Sequence, residues 1–173
     1  MNKTKLIVLT LMVIGAVALR MLLTDFPNVA PITAMAIFAG VFFEKKYFAF
    51  IIPATIMLIS DAFIGFHDTM WAVYGAFGLS ALIAISLRNK VNFLTMTGAS
   101  LASSLVFFIL TNFAVWMTGA WYPKTFEGMV ECYTLAIPFF GKTIVSDLMF
   151  TGLFVGGYLF SQSKIPALAK AKA

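Results

Sequence analysis

The chain has 173 residues, 61% of them hydrophobic and only 11% charged, with a formal net charge of +5. Soluble domains carry about a quarter of their residues as charges, so the composition excludes an ordinary soluble globule and points to a membrane-embedded domain. At about 20 residues per spanning helix, roughly six helices fit, and the apolar runs are continuous, without the ~10-residue alternation of a β-barrel. The expected fold is therefore all-α, a polytopic bundle of transmembrane helices forming one domain over 1–173. The single cysteine, Cys132, excludes an internal disulfide and a multi-cysteine metal cage. No resident cofactor is implied.

In chain order the expected spans are 6–23, 29–43, 47–64, 70–87, 93–117 and 143–160. The first opens on the basic MNKTK, and Ala16-Val17-Ala18 resembles a signal-peptide cleavage box. The apolar run continues past that box to Leu23, which favours a retained span. The second run is short for a ~30 Å core. Pro27 and Pro31 give it an irregular start, tucked among its neighbours rather than facing lipid. Between the fifth and sixth runs lies a longer segment, 118–142, in which 129–140 is too short to span and carries Pro138. A re-entrant or interfacial helix is expected there. The chain closes on a short basic cytoplasmic tail, 161–173, near anionic lipid.

Lysine and arginine placement sets the orientation. With the N-terminus cytoplasmic, Lys3, Lys5, Lys45, Lys46, Arg88, Lys90, Lys164, Lys170 and Lys172 fall inside, nine of the twelve. Six of the seven acids, all but Glu44, fall outside. Both termini are then cytoplasmic. The basic residues follow membrane topology, and no nucleic-acid partner is implied.

Ionisable groups within spans are costly and mark function or pairing. Arg20, Asp61 and Asp147 each lie about one turn below the outer end of a span, with Tyr74, Asn112 and Trp116 at the same level. That layer lies about 6 Å below the outer boundary by helical rise. Arg20 is expected to pair with Asp61 or Asp147 as a structural ion pair. Above the layer, the stretch LISDAFIGFHDTM puts Gly65 between Asp61 and the only histidine, His67. Glycine allows the chain to turn there, aiming His67 and Asp68 over the bundle mouth towards Asn28, Trp121 and Tyr122. The candidate solute-binding set is Asn28, His67, Asp68, Tyr74, Asn112, Trp116, Trp121, Tyr122 and Tyr133. Either His67 or Cys132 is available to ligate a metal centre carried by the solute. Gly152/Gly156, Ala99/Ser103 and Ser100/Ser104 repeat at four-residue spacing and are read as close helix contacts. There is no Walker A loop, HExxH or GxSxG, and so no catalytic constellation.

The segments FPNVAPITAMAIFAG, LISDAFIGFHDTM, VYGAFGL, TNFAVW, YPKTFEGMVECYTLAIPFF and SDLMFTGL resemble a group of bacterial six-helix membrane proteins. That group is itself similar to the S-components, the substrate-binding subunits of energy-coupling-factor (ECF) vitamin transporters. The resemblance implies a solute pocket near the outer surface closed by loops, in the inner (cytoplasmic) membrane of a bacterium. Many S-components carry an AxxxA pair on the first helix for docking to an energy-coupling module. The first helix here has none, although Ala30 and Ala34 have the spacing. Solitary relatives such as the BtuM cobalamin transporters, in which a cysteine ligates cobalt, bring a corrinoid into view. Cys132 does not sit on a matching motif. The expected function is uptake of a small, vitamin-like solute, with lipid and solute as partners. The rival readings are a non-transport scaffold or assembly subunit, and an intramembrane enzyme using His67, Asp68 or Cys132.

Overall fold

The computed structural model describes residues 3–164, and those residues are helical apart from short connections. The helices are α1 (Lys3–Leu22), α2 (Ile32–Phe42), α3 (Phe48–Ile64), α4 (Met70–Leu87), α5 (Phe93–Thr118) and α6 (Phe126–Thr151). A single π turn, Gly152–Gly156, then leads into α7 (Gly157–Lys164). The tail beyond 164 lies outside the described residues.

The short helix is the centre of the molecule. Every residue of α2 from Ile32 to Val41 is buried, and α2 touches α1, α3, α4, α5 and α6 in turn. Around it α1 packs on α3, α3 on α4, α4 on α5 and α5 on α6, an arc wrapped about one apolar rod. An amphipathic stripe is therefore absent from α2, because all its sides face protein. Its eleven residues span only about 16 Å, half a bilayer core. The helix starts at Ile32, not at 29, since Pro31 stands as its N-cap and Asn28 turns the chain with φ 64°. At its other end Arg88 donates to the carbonyls of Phe43 and Glu44, answering acceptors that a helix end leaves open. Gly40 permits the tight α2–α4 approach: a Cβ there would come within 2.6 Å of the Ala84 Cβ.

Among the described residues, three helices are long and apolar enough to cross a membrane: Met70–Leu87, Phe93–Thr118 and Phe126–Lys164. Leu6–Leu22, Ile32–Phe42 and Phe48–Ile64 are shorter apolar helices. The last long one corrects the expectation for 118–142. The loop covers only 119–125, and helix runs unbroken from Phe126 through Pro138 to Lys164. Thr125 caps its start, accepting from the Gly128 amide at 3.2 Å. Proline forfeits one backbone bond but is tolerated in long apolar helices. At 39 residues the helix is about 58 Å long, nearly twice a ~30 Å core. Gly152 and Gly156 also depart from expectation. A Cβ at either would meet nothing within 4 Å, so neither allows a close helix contact among the described residues. Ser100, Ser103, Ser104 and Ala99 are buried in α5 as expected of a packed face.

Candidate functional site: a cavity beneath the 23–31 segment

α3 ends where Gly65 takes φ 116°, ψ 152°, a region open essentially only to glycine, with its amide on the Asp61 carbonyl at 2.8 Å. This break leaves the turn 65–69 beside the 23–31 segment, and together they border a cavity of about 290 Å³. Its wall combines Phe26, Phe77 and Phe107 with the polar groups of Asn28, Thr33 and Thr143. Arg20, His67 and Asp147 also border it. Asn28 Nδ2 donates to Thr143 Oγ1 at 3.1 Å, and the Ala30 amide donates to Ser146 Oγ at 3.2 Å, tying the segment down onto α6.

The two buried acids have different surroundings. Asp61 is 1% exposed, and its Oδ1 lies 2.6 Å from Arg20 Nη2. Arg20 Nε donates to Ser60 Oγ at 2.6 Å, and the Tyr74 hydroxyl donates to Asp61 Oδ2 at 3.1 Å. Both carboxylate oxygens of Asp61 are thus partnered, one by a cation and one by a hydroxyl, the kind of satisfaction that makes a buried ion pair tolerable. Asp147 is equally buried, yet among the described residues it meets hydroxyls: Ser104 Oγ at 2.6 Å, with the Thr33 side chain as a further hydrogen-bond partner. The expected pairing of Arg20 with Asp61 or Asp147 is thus met at Asp61, and Asp147 is held by hydroxyls instead. The reason is position around the rod: α1 packs on α3, whereas Asp147 stands between α2 and α5.

Of the expected solute-binding residues, Asn28 and His67 border the cavity. His67 is exposed at its mouth, with Nδ1 2.9 Å from Thr69 Oγ1. Asp68 is exposed on the same turn and lies outside the lining. Tyr74 is committed to Asp61. The remaining five cluster elsewhere, along the α5–α6 hairpin and its loop. Asn112 Nδ2 donates to the Phe108 carbonyl at 2.8 Å, and the Tyr133 hydroxyl donates to that of Ile109 at 2.7 Å. Trp116 Nε1 donates to the Pro123 carbonyl at 2.9 Å. Lys124 reaches the carbonyls of Trp116 and Gly119, a cation at a helix C-terminus. Tyr122 is half-buried and Trp121 is 86% exposed. Cys132 is buried against the Asn112 carbonyl at 3.6 Å, away from the cavity. Trp116, Lys124, Cys132 and Tyr133 thus fasten the hairpin. Among the described residues, no three His, Cys, Asp or Glu side chains come together to hold a metal.

The sequence reading missed Thr33, Thr143, Phe26, Phe77 and Phe107. Thr143 lies four residues before Asp147, hence on the same helix face, and that spacing was a usable signal. The phenylalanines carry no such mark in a chain with nineteen of them.

Fold and site together define an all-helical protein of membrane-spanning composition, wrapped about a short buried helix with a polar-floored cavity at one end. The chain belongs to a family of unknown function, DUF6580, whose model matches residues 1–168. No curated protein and no solved structure matches the chain.

Proposed function

We propose that this is a six-span protein of the bacterial cytoplasmic membrane that captures a small solute at the outer face and carries it inward, as an S-component does. The observation that carries the reading is the cavity: aromatic walls, a few convergent polar groups and a tethered segment across the mouth, the usual make-up of a small-molecule site. Nine of twelve basic residues fall on one side when the helices alternate, which supports cytoplasmic termini and an outward-facing mouth. Cysteines introduced near His67 and Trp121 should then label from outside, and those near Lys45 and Lys90 should not. The reverse pattern would turn the cavity towards the cytoplasm.

At about 290 Å³ the cavity is at the small end of ligand pockets, roughly 300–1,000 Å³. That size favours a compact, vitamin-like solute over a corrinoid. Of the two candidate metal ligands only His67 borders it. Capture proceeds by movement of the 23–31 segment about Asn28, whose bond to Thr143 closes the mouth; release follows rearrangement of the bundle. Ala34 is fully buried and the Ala30 amide binds Ser146, so an energy-coupling module would dock on another surface. A scaffold needs only the Arg20–Asp61 cluster and has no use for the cavity.

Thermal unfolding of the purified chain against a library of vitamins and their precursors tests the reading. A ligand at a hundred times its Kd stabilises by about 2.7 kcal/mol. Stabilisation by library members is expected for the native chain and should vanish in Phe107→Trp, which fills the cavity. No stabilisation, or equal stabilisation in both, overturns it.

A further inference from the structure

Asp147 is an acid at the floor of the cavity, 2% exposed, and every element around it offers hydroxyls in place of a cation. α2 and α5 contain no charged residue along their whole length. On α6 itself Lys142 is exposed, with Nζ over the Phe139 ring at 5.8 Å. Arg20 is held by Ser60 and Asp61, Tyr74 donates to Asp61, and His67 is at the mouth with Thr69. A lone carboxylate at this depth costs several kcal/mol, and taking up a proton is the usual escape.

Hydrogen counting points the same way. Ser104 has one hydroxyl hydrogen and two acceptors in reach, Asp147 Oδ2 at 2.6 Å and the Ser100 carbonyl at 3.0 Å. With an ionised carboxylate only one of those contacts contains a hydrogen. With a carboxylic acid, Asp147 donates to Ser104 Oγ and Ser104 donates to Ser100, so both are hydrogen bonds at once. On the same two helices, the buried hydroxyls of Ser100, Ser103 and Thr151 have no hydrogen-bond partner among the described residues. Ser100 is four residues from Ser104, and Thr151 four from Asp147, so each shares its partner's helix face. Unpartnered buried hydroxyls are few in native proteins and call for a reason. Ser100 and Thr151, one turn further along the helix faces of Ser104 and Asp147, are hydroxyls through which a proton held at Asp147 can be exchanged.

We propose that Asp147 is a proton-binding site at the floor of the cavity, occupied when no cationic group stands against it and served by the hydroxyls of Ser104, Ser100 and Thr151. Only its O–H bond forms and breaks; the proton is exchanged with water. Coupling of that proton to solute movement rests on the uptake reading, but the site itself does not.

Infrared spectroscopy of the full chain in detergent, without added solute, tests the site by itself. At neutral pH the native chain should show a carboxylic-acid C=O band that is lost in Asp147→Asn and kept in Asp68→Asn. Ser104→Ala, which removes the hydrogen-bond partner without touching the acid, should shift that band. The proposal is overturned if the native chain lacks the band, or if the band persists in Asp147→Asn. It is equally overturned if the band is absent while ²²Na⁺ binds the native chain and not Asp147→Asn. Because no solute is used, failure of the uptake reading leaves each of these results unchanged.

Discussion

Asp147 borders the cavity and Asp61 pairs with Arg20, which also borders it; the two acids are buried alike, yet one is held by a cation and the other by hydroxyls. The difference lies in what packs against each helix. α3 has α1 beside it, and α1 brings Arg20. Asp147 lies among α2 and α5, which carry no charge at all. An acid whose neighbours are fixed cations is part of the scaffold. An acid whose neighbours are hydroxyls is free to change its protonation, or to accept a partner from the cavity.

Asp61→Ala should produce the largest loss. It strands the Arg20 guanidinium, and breaking a buried pair costs on the order of 3 kcal/mol. Replacing both Arg20 and Asp61 with leucine should cost less than that single change, since no charge is left alone. Unfolding midpoints in detergent measure both; a double variant worse than Asp61→Ala would show that the pair is more than compensated charge. Asp147→Asn should be the counterpart, within about 1 kcal/mol of the native chain, because a neutral amide replaces a neutral acid. A loss as large as that of Asp61→Ala would erase the contrast.

Gly65→Ala forces a side chain into a glycine-only backbone region and should destabilise by about 1–3 kcal/mol. It should also weaken any bound solute, since the turn that carries His67 begins there. Tyr74→Phe removes one hydrogen bond to Asp61 and should cost about 1 kcal/mol without changing solute retention. Retention lost in Tyr74→Phe at near-native stability would return Tyr74 to the cavity wall. Trp121→Ala, at an exposed position on the α5–α6 loop, should change stability by less than about 0.5 kcal/mol and leave retention alone.

That Arg20, Asp61 and Tyr74 come together was legible in the sequence, because desolvation keeps charges near helix ends or opposite partners and the apolar runs mark those ends. Gly65 as the break after α3 was legible for the same local reason. What a single sequence leaves open is the direction around the bundle. Spacing alone left Asp61 and Asp147 equally placed to receive Arg20, and contact between α1 and α3 decides it. Tyr74 and Asn112 shared the right level but face, respectively, Asp61 and the backbone of α5. Pro138 misled for another reason: its local preference is overridden along a helix that continues for 39 residues. The Thr125 cap with Glu127 in the first turn marked the true start of that helix.

The central claim is that the cavity beneath 23–31 holds a small solute. Native mass spectrometry of gently purified protein tests it most directly. The native chain should carry a discrete additional small mass, and Phe107→Trp, folded to a similar midpoint, should fly bare. A bare native chain, or the same added mass on both, would contradict the account.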